Sequence, residues 1–275
     1  MTILEVINKT TPYLEKNGIE SPRLTIELLL AHVLQKKRLQ LYLEFERELD
    51  EPTLGKLREM VKRRMTGEPL QYIIGEADFG GLKFAVDRRC LIPRPETELL
   101  VAAVAARSPK TIIDVGTGSG CIAVTLAKKL PGSEVIAIDV SAEALAVAQG
   151  NATRHEAGNI QWVHGDLLPA GIQVAAIVSN PPYIMTGDMP GLPREVRDFE
   201  PALALVAGVD GLDVFRRLIP ACHAALTPNG FVAYEMGAGQ CAAVAGLLEQ
   251  AQFRVEEIIK DLQGHERVIV ARVAE

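Results

Sequence analysis

The chain predicts an α/β protein built on a mostly parallel sheet, and three observations lead there. From Leu91 onward, short apolar runs alternate with helical patterns, the rhythm of strands crossed over by helices on both faces. The run Thr111-Ile112-Ile113-Asp114-Val115 passes straight into Gly116-Thr117-Gly118-Ser119-Gly120 and then a helical pattern from Cys121 to Leu130. A later run, Val174 to Val178, stops at Asn180-Pro181-Pro182-Tyr183, a place where a parallel strand must end because proline has no N–H for the ladder.

Taken in order, residues 1–75 have helical periodicity, many long charged side chains and no strand-like runs, and predict a small helical bundle. Ser21-Pro22 followed by Leu24, Ile26, Leu28, Leu29, Ala31, His32 and Leu34 predicts a helix capped by serine with proline in its first turn, and Leu54 to Met65 a second helix. The basic residues Lys36, Lys37, Arg38, Lys56, Arg58, Lys62, Arg63 and Arg64 read as a solvated face in preference to a binding surface. Gly67 to Tyr72 breaks the pattern, and residues 76–92 read as a linking β-hairpin around Phe79-Gly80-Gly81-Leu82. Residues 93–275 then carry strands near Thr111, Val135, Ile160, Val174, Gly230 and Val268, separated by helices near Glu96, Cys121, Ala142, Leu212 and Gln240. The runs Arg254–Asp261 and Arg267–Arg272 are joined too briefly for a crossover, so one terminal strand is expected to be antiparallel.

Strand, glycine turn and helix make a cradle of the nucleotide-binding type. The spacing G-x-G-x-G differs from the G-x-G-x-x-G of dinucleotide folds. Asp139 closes the next strand about twenty residues on, where a carboxylate accepts hydrogen bonds from both hydroxyls of a ribose. Asp166, followed by Leu167, ends a third strand where the edge of an adenine ring would lie. Adenine and ribose without pyrophosphate point to S-adenosylmethionine, with S-adenosylhomocysteine as product. The competing reading makes Asp139 or Ser141 a helix cap only.

Asn180-Pro181-Pro182-Tyr183 adds the chemistry. The prolines fix the backbone so that carbonyls face outward as rigid acceptors, suited to grip a planar NH2 group while the tyrosine ring covers its flat face. The competing reading is a strand-terminating turn. Asn180, Pro181 and Tyr183 are therefore the candidate catalytic residues, and Pro182 joins them in holding substrate. Ile184 to Asp213, rich in proline, glycine and charge, is too extended for an ordinary connection and reads as a lid or docking loop, with Arg197 and Glu200 pairing inside it.

Five segments together resemble the HemK/PrmC family of peptide chain release factor glutamine methyltransferases: Pro93-Arg94-Pro95-Glu96-Thr97-Glu98, Asp114 to Gly120, Asn180 to Ile184, Glu195 to Leu205, and Asp210-Gly211-Leu212-Asp213. The resemblance spans nearly the whole chain. It implies a class I (Rossmann-like) S-adenosylmethionine-dependent methyltransferase with seven strands and a reversed hairpin, N5-methylation of the glutamine in the Gly-Gly-Gln motif of class 1 release factors, and help from Phe79 and Glu96 in forming the glutamine pocket. From the residues alone, Phe79 reads as core and Glu96 as a first-turn helix acid. A helical appendage ahead of such a core is most simply a docking element.

Composition excludes several classes. Lys plus Arg at 29 against Asp plus Glu at 35 give a net charge of −6, which argues against a sequence-general nucleic-acid binder. Cys90, Cys121, Cys222 and Cys241 lack metal-ligand spacing, as do the scattered histidines, so no metal site is expected and the thiols fit a reducing cytoplasm. No run is long enough for a membrane span and Met1 to Asn17 lacks a signal-peptide pattern. Two other functions share part of this pattern: an amino-methyltransferase acting on an extruded adenine, disfavoured by the acidic balance, and a cofactor-binding adaptor without turnover, disfavoured by the intact Asn180 and glycine loop.

Overall fold

A computed structural model of the chain describes residues 1–274. Two compact units are present: Met1–Gly75 together with Arg194–Phe199, and Glu76–Pro193 together with Glu200 onward.

The first unit is helical. Helix α1 (Ile3–Lys16) starts with a reciprocal cap, in which Glu5 N–H donates to Thr2 Oγ1 at 3.2 Å and Thr2 N–H to the Glu5 carboxylate at 3.0 Å. Its buried face is Ile3, Val6, Ile7 and Leu14. Helix α2 (Pro22–Val33) has proline in its first turn as expected, but Ser21 sits in the left-handed region at φ 48° and its side chain makes no cap. Helices α3 (Arg38–Leu43), α4 (Glu51–Met65) and α5 (Leu70–Ile74) complete the bundle. Helix α4 begins three residues before the Leu54 expected from periodicity, because Asp50 caps Thr53 N–H at 2.9 Å and the proline at 52 fits a first turn. Most of the basic residues are paired locally, Lys62 with Glu59 at 2.6 Å and Arg63 with Glu68 at 2.7 Å among them.

In the second unit a two-stranded hairpin, β1 (Glu76–Phe79) and β2 (Leu82–Ala85), precedes α6 (Thr97–Arg107). There follow β3 (Thr111–Val115), α7 (Cys121–Lys129), β4 (Glu134–Asp139), α8 (Ala142–Arg154), β5 (Ile160–His164) and β6 (Val174–Ser179). The short helix α9 (Arg194–Phe199) is the part of the long loop that belongs to the first unit. Helix α10 (Asp213–Ala225), β7 (Leu226–Glu235), α11 (Cys241–Gln250), β8 (Phe253–Lys260) and β9 (Glu266–Val273) close the chain. The sheet order is β5-β4-β3-β6-β7-β9-β8, parallel except for β9, which is antiparallel to both neighbours.

Alternation sorts the sheet residues onto its two faces. Ile112, Val135, Ala176, Phe231 and Val268 pack with α6 and α7, while Ile113, Ile138, Ile177, Val232 and Ile269 pack with α10 and α11. Helix α7 is buried along Cys121 to Ala127. At roughly 1.5–3 kcal/mol for each large side chain withdrawn from water, this burial fixes the loop feeding the helix far more firmly than any single hydrogen bond does.

Candidate active site

The loops at the carboxyl ends of β3, β4, β5 and β6 converge on one cavity of about 370 Å³, within the range of small-molecule sites. Gly116, Gly118, Asp139, Asp166, Leu167, Asn180, Pro181 and Pro182 all line it. That is the position in which open α/β sheets bind ligands.

The glycine loop is held from beneath. Asp114, fully buried, accepts from Thr117 Oγ1 at 2.6 Å and from Ala123 N–H at 3.2 Å, and burial pushes its carboxyl up to about 7. Gly116 and Thr117 both donate their N–H to the Ile138 carbonyl at 2.9 Å. Gly120, at φ 80°, lies so close to Ala148 that an added Cβ would meet its Cβ at 3.0 Å. Thr117, Ser119 and Gly120 are thus the underside of the loop, outside the lining, while Gly116 and Gly118 present bare backbone to the cavity. Above Gly116 there is open space where a side chain would begin.

Asp139 ends β4 with Oδ2 accepting from Gly118 N–H and Oδ1 from Ser141 N–H, each at 2.8 Å. The cap of α8 is Ser141, whose Oγ accepts from Ala144 N–H at 3.1 Å. A carboxylate has further lone pairs, so Asp139 keeps acceptor capacity toward the cavity. Asp166 forms an ion pair with Arg217 of α10, which also lines the cavity. Leu167 adopts φ 60°, rare for leucine, and contributes apolar wall.

Beyond Ser179 the β6 ladder stops as the prolines require, and among the described residues neither the Asn180 nor the Pro181 carbonyl accepts a backbone bond. Asn180 Nδ2 donates to Thr97 Oγ1 at 3.1 Å. Tyr183 departs from expectation: it does not line the cavity. Its carbonyl accepts from Gln240 Nε2 at 3.0 Å, its ring packs on the α10–α11 face of the core, and burial raises the phenol to about 12. Phe79 likewise lies outside the lining, because it is 1% exposed and stacks edge-on against Phe84 with centroids 6.0 Å apart. Glu96 is half-buried at the cap position just ahead of α6, where Glu98 is the first-turn acid, and lies outside the cavity lining.

The expected Arg197–Glu200 pair is replaced by others. Arg197 holds Asp198 at 2.8 Å, and Glu200 accepts from Ile92 N–H at 3.1 Å and pairs with Arg94, its side chain 1% exposed. Sequence reading missed Arg217, Thr97 and Glu235. Glu235 was detectable, since a carboxylate at the end of the apolar run Phe231-Val232-Ala233-Tyr234 has no ordinary place in a buried strand.

Sheet order, reversed hairpin and strand-end cavity define a methyltransferase of the class I fold. Solved structures with that fold superimpose on it: a ribosomal protein L11 methylase from Lactobacillus delbrueckii subsp. bulgaricus (TM-score 0.51, 21% identity, 67% of this chain and 81% of that one) and a methyltransferase from Pyrococcus furiosus (0.55, 17%, 71% and 90%). Residues 5–75 match the PrmC N-terminal domain and residues 95–190 the methyltransferase small domain. The release factor glutamine methyltransferase of Geobacter sulfurreducens is 42% identical over 99% of this chain and 97% of its own length, and that of Koribacter versatilis 41% over 99% of both. The chain belongs to the release factor glutamine methyltransferase family.

Proposed function

We propose that the protein methylates the side-chain amide nitrogen (N5) of the glutamine in the Gly-Gly-Gln motif of class 1 peptide chain release factors, using S-adenosylmethionine. The observation that carries this reading is the meeting of Asn180 and Pro181 with Asp139 and the glycine loop on one cavity.

The cofactor fits the residues present. Asp139 supplies acceptors suited to ribose hydroxyls, Gly116 and Gly118 allow close approach of a ligand to backbone, and Leu167 offers an apolar surface for a planar base. Asp166, with Arg217 beside it, is the polar group available to the base edge. When bound, S-adenosylmethionine supplies a methyl group on a sulfonium, an electrophile that reacts without prior activation.

The protein's task is then the nucleophile, because a carboxamide nitrogen has its lone pair delocalised into the carbonyl. The Asn180 Oδ1 and the Pro181 carbonyl accept the two N–H groups of the glutamine, drawing the nitrogen toward tetrahedral geometry and aiming its lone pair into the cavity. Positioning of this kind can supply roughly 7–11 kcal/mol of a barrier, so no strong base is required before transfer. The methylated nitrogen, cationic once the sulfur has left as a neutral thioether, then loses one of its two protons to water. Pro182 shapes the wall, Tyr183 anchors the turn from behind, and Glu96 contributes charge near it. In this reading residues 1–75 dock the release factor. Their exposed apolar side chains, Leu39 and Leu43 foremost, support that role.

The test offers labelled S-adenosylmethionine to the protein with release factor or with duplex DNA. Label on the release-factor glutamine is expected, and label on DNA or on neither substrate would overturn the reading.

A further inference from the structure

Resting on the role proposed for Asn180, we infer that Glu235 is a positioning residue which, through the Thr97 hydroxyl, dictates that Asn180 presents its carbonyl oxygen to the substrate.

The topology brings the three residues together. Strands β6 and β7 run parallel with Ser179 opposite Tyr234, so Asn180 and Glu235 follow side by side at their carboxyl ends. Thr97, the first residue of α6, is 2% exposed, accepts from Asn180 Nδ2, and is near enough to Glu235 for its hydroxyl to favour the ionised carboxylate. Glu235 is 1% exposed and its Oε2 has no hydrogen-bond partner, an expensive placement for a carboxylate that the hydrophobic core does not need.

The direction of the hydrogen bonds follows from proton counting. An ionised carboxylate only accepts, so the single proton of the Thr97 hydroxyl goes to Glu235. The hydroxyl oxygen is then an acceptor toward Asn180, which must offer Nδ2–H, the arrangement found at 3.1 Å. With Nδ2 committed to Thr97, Oδ1 is left for the substrate. Protonation of Glu235 removes the constraint. The acid donates to Thr97, the threonine proton is released toward Asn180, and the carboxamide turns to place an N–H donor against the N–H groups it should accept. Like donors facing each other bind badly, and methylation falls.

The environment makes that protonation accessible. Burial, opposed by the Thr97 hydrogen bond, pushes Glu235 up to about 7. Glu96 at the head of α6 raises it further, whereas Arg267 on β9 and Arg94 before α6 favour the ionised form. Tyr183 and the Cys121 thiol on α7 also face it, and burial keeps both neutral in this range. Ionised Glu235, and with it turnover, is therefore present above about pH 7 and lost as pH falls through that value.

The experiment is the single-turnover rate of methyl transfer to release factor, at saturating S-adenosylmethionine, as a function of pH, with cofactor affinity measured in parallel by calorimetry. The parent should lose about tenfold in rate per pH unit on the acid side of a midpoint near 7. Glu235→Gln should keep its cofactor affinity and lose the acid limb, since the amide cannot titrate. It should also transfer more slowly than the parent at high pH by roughly 10- to 100-fold, since the amide can donate to Thr97 and no longer fixes its proton. Thr97→Val should slow transfer by roughly 10- to 100-fold at high pH and also lose the limb, while Thr97→Ser restores both. Should Glu235→Gln fail to fold, the two threonine variants decide the matter. An acid limb that persists in Glu235→Gln or Thr97→Val, or that is absent from the parent, overturns the inference. Should Asn180→Ala turn over at the parental rate, the reading of Asn180 falls and this inference with it; an impaired Asn180→Ala beside an unchanged limb in Glu235→Gln removes the inference alone.

Discussion

Asp139 shows how one side chain serves the fold and the ligand together. Its two oxygens already hold Gly118 N–H and Ser141 N–H, so the carboxylate fixes the glycine loop against the start of α8 and still faces the cavity. Asp139→Ala is expected to weaken S-adenosylmethionine binding by roughly 1.5–3 kcal/mol, the scale of a hydrogen bond to a charge, measured by calorimetry. Equal affinity in variant and parent would reduce Asp139 to a staple of the loop. At this scale the sequence was informative where backbone chemistry restricts the residue, as at Gly116, Asn180 and Pro181. It misled at Tyr183, whose ring suits a binding surface and a core equally well and packs on the core beside Gln240. At Phe79 the residue-level reading, core, agrees with its packing against Phe84, and only the family resemblance had implied a place in the pocket. Thr97 escaped notice because its partner Asn180 is distant in sequence.

Among the elements, the turn after β6 is the one on which chemistry depends, and it is braced by the segment that follows it. Gly211 adopts φ 75° and touches the Tyr183 backbone, so that an added Cβ would run into the Tyr183 carbonyl. Gly239 has a similar φ of 84° but nothing within 4 Å of such a Cβ. Gly211→Ala is therefore expected to cost about 1–3 kcal/mol of stability from backbone strain plus the collision, and to slow methyl transfer, whereas Gly239→Ala carries the strain alone and leaves transfer intact. Urea midpoints and transfer rates of the two variants check this; equal losses would show that the close contact has no part in holding the turn. Strands β3, β4, β6 and β7 were legible because a buried parallel strand needs a continuous apolar run with turn residues at its ends, and β8 and β9 because the joint between them is too short for a crossover. Helices α3, α5 and α9 were not, having six residues or fewer and too few turns to establish a period.

For the whole molecule, the division into units explains the odd character of the loop from Ile184 to Asp213. Its middle, α9, belongs to the helical unit, where Arg64, 10% exposed, pairs with Glu195 at 2.7 Å and also donates to the Glu68 carbonyl at 2.9 Å. Its end is tied within the sheet unit by Glu200. No sequence period could foretell this, since the pairing joins residues more than a hundred positions apart. Deleting residues 1–75 should leave S-adenosylmethionine affinity within a few-fold and raise the KM for release factor at least tenfold, if that unit docks the protein substrate; steady-state kinetics with an unchanged KM would assign docking elsewhere.

The central claim is that Asn180 and the Pro181 carbonyl hold a glutamine amide in line for transfer. The most direct measurement is the single-turnover rate of methylation of release factor by Asn180→Ala, with cofactor occupancy verified in the same samples. A loss of roughly two orders of magnitude or more at nearly unchanged cofactor affinity is predicted, the cost of removing one preorganised polar group. A rate equal to that of the parent would contradict the account.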